Sequence, residues 1–169
     1  IKLVNSREEK VLAWIKIQYG QVARVQTSDK KAIEYHFEQD GSNRPLLTKV
    51  VSSHKPSVEY QYNQAEKHPL LIRKLLPGGR STEIEYLIDS DGKNRVRSVT
   101  KPILDGLIAR TEFTYELEGN GSGYTQVHGP SGEKTVHHYN EDLQLTSIEE
   151  YLSGSLYRTQ KNLWGNKRD

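Results

Sequence analysis

The stretch Val58-Glu59-Tyr60-Gln61-Tyr62 decides the fold of this chain. Val58, Tyr60 and Tyr62 alternate with Ser57, Glu59 and Gln61 at the two-residue period of a strand with one packed and one wet face. The pattern returns at Ile33-Glu34-Tyr35-His36-Phe37, Ile84-Glu85-Tyr86-Leu87-Ile88, Thr111-Glu112-Phe113-Thr114-Tyr115 and Thr135-Val136-His137-His138-Tyr139. With Tyr35, Tyr60, Tyr86, Phe113 and His137 as equivalents, the spacings are 25, 26, 27 and 24 residues. An internal repeat of this kind settles architecture before any local motif does.

Each aromatic strand is followed by a polar turn and a short apolar-x-x-apolar segment: Val22-x-x-Val25, Leu47-x-x-Val50, Ile72-x-x-Leu75, Val96-x-x-Val99, Tyr124-x-x-Val127 and Leu145-x-x-Ile148. Between the halves lie Asp40-Gly41-Ser42-Asn43, Asp91-Gly92-Lys93-Asn94 and Gly119-Asn120-Gly121-Ser122-Gly123, rich in residues that tolerate positive φ. The links Pro77-Gly78-Gly79-Arg80, Pro130-Ser131-Gly132 and Ser153-Gly154-Ser155 are equally turn-like. The expected fold is therefore all-β: an antiparallel meander of consecutive β-hairpins forming a curved, twisted sheet. One repeat array fills 1–169, with units at about 11–27, 31–51, 56–76, 82–100, 108–128 and 134–152 and a partial unit at 155–169. Alternation alone is equally compatible with a closed barrel, an open sheet or two packed sheets.

At the N-terminal end Trp14-Ile15-Lys16-Ile17-Gln18-Tyr19 with Gly20-Gln21 reads as an earlier unit. Leu156-Tyr157-Arg158-Thr159-Gln160-Lys161-Asn162-Leu163-Trp164 reads as a last strand without its partner. The expectation is a piece cut from a longer array, which the start at Ile1-Lys2-Leu3 reinforces. The link 101–108, with Pro102, Ile103, Leu104, Leu107 and Ile108, is expected to hold a helical turn or a loop packed over the sheet. Arg7-Glu8-Glu9-Lys10 is too short for a helix.

Composition narrows the function classes. A chain of 169 residues with 34% apolar and 27% charged residues supports one domain with a thin core. Ten tyrosines against two Phe and two Trp suit half-wet strands, since a tyrosine buries its ring and keeps its hydroxyl hydrated. A net charge of +2 from 24 basic and 22 acidic residues gives no argument for nucleic acid. The absence of cysteine excludes disulfides, iron–sulfur clusters and thiol catalysis and leaves the compartment open. No apolar run reaches the roughly 18 residues of a membrane-spanning helix.

The hairpin unit resembles the YD repeat of the RHS and teneurin-type proteins, whose pattern is Tyr-Asp-x-x-Gly-Arg-Leu-x-x-Val or Ile. Tyr139-Asn140-Glu141-Asp142-Leu143-Gln144-Leu145-Thr146-Ser147-Ile148 matches best, with Asn for Asp and Leu143 where glycine is usual. Tyr62-Asn63 keeps the aromatic-polar pair, Ile88-Asp89-x-x-Gly92 the aspartate and glycine, and Phe37-Glu38-x-x-Gly41 reads as a further degenerate copy. The resemblance implies a wall segment of a β-shell or surface scaffold, joined edge to edge to further repeats, and in bacterial members an enclosed C-terminal toxin or effector. It also implies secretion or a bacterial cell surface, with a cytoplasmic stage before export. The Arg-Leu part of the pattern survives poorly, and no toxin domain is visible in these residues. The structural repeat positions are Tyr35, Tyr60, Tyr62, Tyr86, Phe113, Tyr115, Tyr139 and Asn140.

No catalytic, cofactor or metal residue is expected. His137 and His138 are strand neighbours that face opposite sides, so they share no ligand face without a bulge. Asp89-Ser90-Asp91-Gly92-Lys93-Asn94 misses the EF-hand order and reads as a hairpin turn. Gly119-x-Gly121-x-Gly123 leads into a strand, not a helix whose N-terminal amides hold phosphate. Asn120-Gly121-Ser122 is a formal glycosylation sequon read as a turn. Glu149-Glu150 and Glu8-Glu9 are pointed apart by strand geometry. The alternative function is a cell-surface adhesion or carbohydrate-binding module, using Arg73-Lys74, Arg80, Arg95, Arg97 and Lys101 with nearby tyrosines to bind glycan. Open sheet edges add an edge-strand dimer to the expected partners.

Overall fold

The computed structural model describes residues 1–5, 10–18, 20–63, 68–103 and 106–164. Arg7, Glu8 and Glu9, Tyr19, Leu104 and the end of the last expected unit lie outside the described residues.

Fourteen strands follow one another: β1 Lys2–Asn5, β2 Lys10–Gln18, β3 Gln21–Thr27, β4 Ala32–Gln39, β5 Pro45–Ser52, β6 Val58–Asn63, β7 Leu70–Leu75, β8 Ser81–Ile88, β9 Asn94–Pro102, β10 Ile108–Leu117, β11 Gly123–His128, β12 Lys134–Tyr139, β13 Leu145–Leu152 and β14 Ser155–Lys161. Pairing is antiparallel and follows chain order from β1 to β14, so the meander stays open, and a 3₁₀ turn spans Pro77–Gly79. No helix of the described residues is long and apolar enough to cross a membrane. The chain divides into two compact units, Ile1–Glu83 and Ile84–Asp169.

Alternation sets the burial. Along β10, Ala109, Thr111, Phe113, Tyr115 and Leu117 are half-buried while Ile108, Arg110, Glu112, Thr114 and Glu116 are exposed. The core is thin, as composition requires: among the described residues the buried apolar side chains are Ala13, Ala23 and Val136. A single sheet layer covers only one side of each residue, which leaves its side chains half-wet.

In unit 1 the Tyr-bearing face runs through Leu3, Ala13, Ile15, Ile17, Val22, Val25, Ile33, Tyr35, Phe37, Leu47, Val50, Val58, Tyr60 and Tyr62, as the cross-strand partners show. The other face is charged. Arg24 meets Glu34 at 3.0 Å, Lys49 meets Glu59 at 2.9 Å and Arg73 meets Glu83 at 3.3 Å, each across neighbouring strands.

In unit 2, Phe113 and Tyr115 share a face with Val127 and Thr125, and Thr125 with His137. The opposite face holds Ser98, fully buried, whose hydroxyl donates to Glu85 at 2.8 Å while Arg110 donates to the same carboxylate at 2.8 Å.

In the link after β9, Ile103 and Leu107 are exposed, Ile103 N–H donates to the Leu107 carbonyl at 2.9 Å, and Gly106 lies in a 3₁₀ turn, in accord with the helical turn expected there; Leu104 and Asp105 lie outside the described residues. The repeat aromatics face aliphatic partners on the neighbouring strand, except at Tyr60. Tyr35 faces Val50, Tyr60 faces Lys74, Tyr62 faces Leu71, Phe113 faces Val127 and Tyr139 faces Leu145. A returning strand separates successive aromatic strands, putting their rings about 10 Å apart.

Candidate functional site

The recurring structural unit of this chain is the hairpin joint, built from a turn, a bulge and a side-chain tie. The turn spans five residues: the N–H of the first donates to the carbonyl of the fifth, and the N–H of the fourth donates back to the carbonyl of the first. Both bonds occur at 27–31, 40–44, 89–93, 118–122, 129–133 and 140–144, and the first of them also joins Leu76 to Arg80 and Ile103 to Leu107. The fourth residue takes a left-handed conformation, whether glycine (Gly92, Gly121, Gly132) or not (Lys30, Asn43, Leu143).

Three of these turns are locked by an acid or amide at the first position. Asp40 is buried; its carboxylate accepts the N–H groups of Ser42 and Arg44 at 2.8 and 2.9 Å and the Arg44 guanidinium at 2.7 Å. Those backbone bonds, Arg44's first, hold its pKa below the usual carboxylate range. Asp89 is gripped by Arg95, which also reaches Asp91 at 3.0 Å. Asn140 does the same with a neutral amide, accepting Gln144 N–H at 3.0 Å and donating to the Gln144 side chain at 3.1 Å. The expected copy Phe37-Glu38-x-x-Gly41 is thus out of frame: Asp40, two residues later than Glu38, holds the turn position.

The bulges explain the apolar-x-x-apolar signature. In a regular strand residues i and i+3 face opposite ways, but one extra residue turns them to the same face. Ala23, Thr48 and Thr146 are these extras, so Val22 with Val25, Leu47 with Val50, and Leu145 with Ile148 share a face. Two copies depart from the expectation. In β7 the extra residue is Ile72 itself, and the same-face pair is Leu71 and Lys74. Between β10 and β11 the register has no bulge, so Tyr124 and Val127 face opposite ways.

The tie runs from one hairpin to the one before it. Tyr62 on β6 donates its hydroxyl to the Leu47 carbonyl at 2.9 Å, and Tyr115 on β10 donates to the Val96 carbonyl at 2.7 Å. At the third such place Asn162 and Trp164 donate to the Leu145 carbonyl at 3.0 and 2.8 Å. Burial raises the pKa of Tyr62, Tyr86 and Tyr115. No protein-family model matches the chain. No curated protein matches it either.

In unit 2 a groove of about 900 Å³ lies over the turns, floored by Tyr115, Thr125 and Tyr139 and walled by Lys93, Arg95 and Glu141. The Arg95 guanidinium sits 5.4 Å from the Tyr115 ring centre, so the main cation is already occupied by a ring and two carboxylates.

His137 shares the Tyr115 face and meets the Thr135 hydroxyl at 3.1 Å. His138 faces the other way, with its ring 5.7 Å from that of Tyr124 and Nε2 3.6 Å from Glu149. Glu149 accepts the Tyr151 hydroxyl at 2.7 Å, and Lys134 lies 4.1 Å from the Tyr151 ring centre. Glu150 is paired on the opposite side from Glu149. Among the described residues no group of three or more His, Asp or Glu is placed to hold a metal ion. Of the cationic set, Arg73 and Lys74 face opposite sides of the sheet in unit 1, and Arg95 is clamped by Asp89 and Asp91 in unit 2.

Proposed function

We propose that this chain is a non-enzymatic structural segment, one stretch of a longer hairpin-repeat sheet of YD type that forms the wall of a β-shell or surface scaffold. The observation that carries the reading is the inter-hairpin tie: Leu47, Val96 and Leu145 recur two hairpins apart, and each carbonyl is held by a side chain of the next hairpin. These ties hold hairpin to hairpin, which is what a repeating wall requires. Secretion or cell-surface display and an enclosed effector belong to the same proposal.

Stepwise deletion of hairpins from the C-terminal end tests it. An array of nearest-neighbour units loses stability in steps while the remainder stays folded. Collapse of the whole chain on removal of 134–164 contradicts it.

The unit 2 groove favours a second reading, a carbohydrate-binding module, through its tyrosine floor. Saturable binding on a glycan array, abolished by Tyr139→Ala, decides for that reading; no binding decides against it.

A further inference from the structure

We propose that Asn120 is an acceptor for an N-linked glycan, presented by the folded turn between β10 and β11. Of the chain's asparagines, Asn120 alone has a serine or threonine two residues on, and the residue between them is glycine, not proline. The fold gives this triplet a place. Asn120 is the third of the five residues of the 118–122 turn, which is closed by Glu118 N–H to the Ser122 carbonyl and Gly121 N–H to the Glu118 carbonyl, both at 2.9 Å. Gly121 takes φ 90°, so the chain reverses directly after the asparagine and leaves it exposed at the apex.

The turn also orients the reacting group. Ser122 N–H donates to Asn120 Oδ1 at 3.0 Å, which fixes the amide with its oxygen toward the turn, and among the described residues Nδ2 has no protein partner. The Ser122 hydroxyl lies 2.7 Å from the same Oδ1 and 2.8 Å from the Glu118 carboxylate, so the hydroxyl that defines the acceptor motif is held beside the amide. An amide nitrogen is a weak nucleophile because its lone pair is shared with the carbonyl. The co-substrate is therefore an activated glycan of the lipid-linked pyrophosphate class, delivered by an oligosaccharyltransferase. Asn120 Nδ2 attacks the anomeric carbon, the new C–N bond forms as the bond to the phosphate oxygen breaks, the lipid pyrophosphate leaves with the electron pair, and a base of the transferase takes the Nδ2 proton. The inference does not rest on the wall reading, since an exposed turn accepts a glycan in a free-standing module as well.

The test combines the purified folded chain, lipid-linked oligosaccharide and a bacterial single-subunit oligosaccharyltransferase, with a synthetic 111–134 peptide as the unfolded acceptor. Trypsin releases Thr111–Lys134, whose one asparagine is Asn120, so mass spectrometry reads the glycan at that site. The folded chain is expected to be glycosylated there at a rate comparable to the peptide's, with Ser122→Ala abolishing transfer and Ser122→Thr keeping it. A misfolded Ser122→Ala chain would still expose Asn120, so lost transfer reports the hydroxyl and not the fold. A folded chain left unmodified while the peptide is glycosylated, transfer that survives Ser122→Ala, or transfer to neither acceptor beside a working control substrate overturns the proposal.

Discussion

The Tyr62 hydroxyl reaches back from β6 to the Leu47 carbonyl, at 2.9 Å, beside the Thr48 bulge of β5. The bulge interrupts the ladder and leaves a carbonyl to be satisfied; the tyrosine of the next hairpin satisfies it. Tyr62→Phe keeps the ring and removes the donor, and should destabilise the chain by about 1 kcal/mol. Urea unfolding measures this; an unchanged midpoint shows that the tie contributes nothing.

Leu143 occupies the left-handed position of its turn, φ 59°, where Gly92 and Gly121 stand in the corresponding turns, and it is exposed. Leu143→Gly relieves a side chain from a conformation that disfavours it and loses little packing. A stabilisation of about 1 kcal/mol is expected, read as a rise in Tm. A fall means that the leucine packs in the folded chain.

A methyl group at Gly123 would sit 2.1 Å from the backbone oxygen of Glu116, across the β10–β11 register. At Gly129 its nearest neighbours would be atoms of the Glu133 side chain, which can swing away at the loss of its bond from Ser131 N–H. Gly123→Ala should cost about 2 kcal/mol or more, and Gly129→Ala less than about 1 kcal/mol. Equal effects in thermal unfolding contradict the close approach.

The carboxylates that lock turns and faces titrate low: Asp40 through Arg44 and Ser42, Glu85 through Ser98 and Arg110, Asp91 through Lys93, and Glu149 through Tyr151. Asp29 is held down to about 2 by Lys31 and Thr27. A folded pKa below the unfolded one gives stability that is present above the ordinary carboxylate range, near about 4, and lost as pH falls through the folded value. Tm should therefore hold steady from neutral pH to the carboxylate range and then fall. Asp40→Asn should flatten part of that fall while keeping the turn, since Asn140 makes the same backbone bonds in its own turn. An acid limb unaltered by Asp40→Asn would mean that Asp40 is not one of its sources.

Alternation at Val58–Tyr62 and the glycine and asparagine of the turns carry the strands and their hairpin order, because period and positive φ are local properties. The bulges are not local. Ala23, Thr48 and Thr146 become extra residues only once a partner strand fixes the register, so Leu47-x-x-Val50 shows its meaning only in the pair. For the same reason the sequence frame missed Asp40 in favour of Glu38, and Leu71 with Lys74 in favour of Ile72 with Leu75. The ties are not legible in the sequence because their acceptors are backbone carbonyls, which leave no mark on residue type: the repeat pattern marks Tyr62 and Tyr115 by their rings, while their hydroxyls make the ties.

Hydrogen exchange at the backbone amides of β14, Ser155–Lys161, in the full-length polypeptide tests the wall reading most directly. If the chain is one stretch of a longer sheet, both edges of β14 are paired, and its amides exchange as slowly as those of β13. Fast exchange at alternate β14 amides in the full-length polypeptide, the mark of an edge open to water, contradicts it.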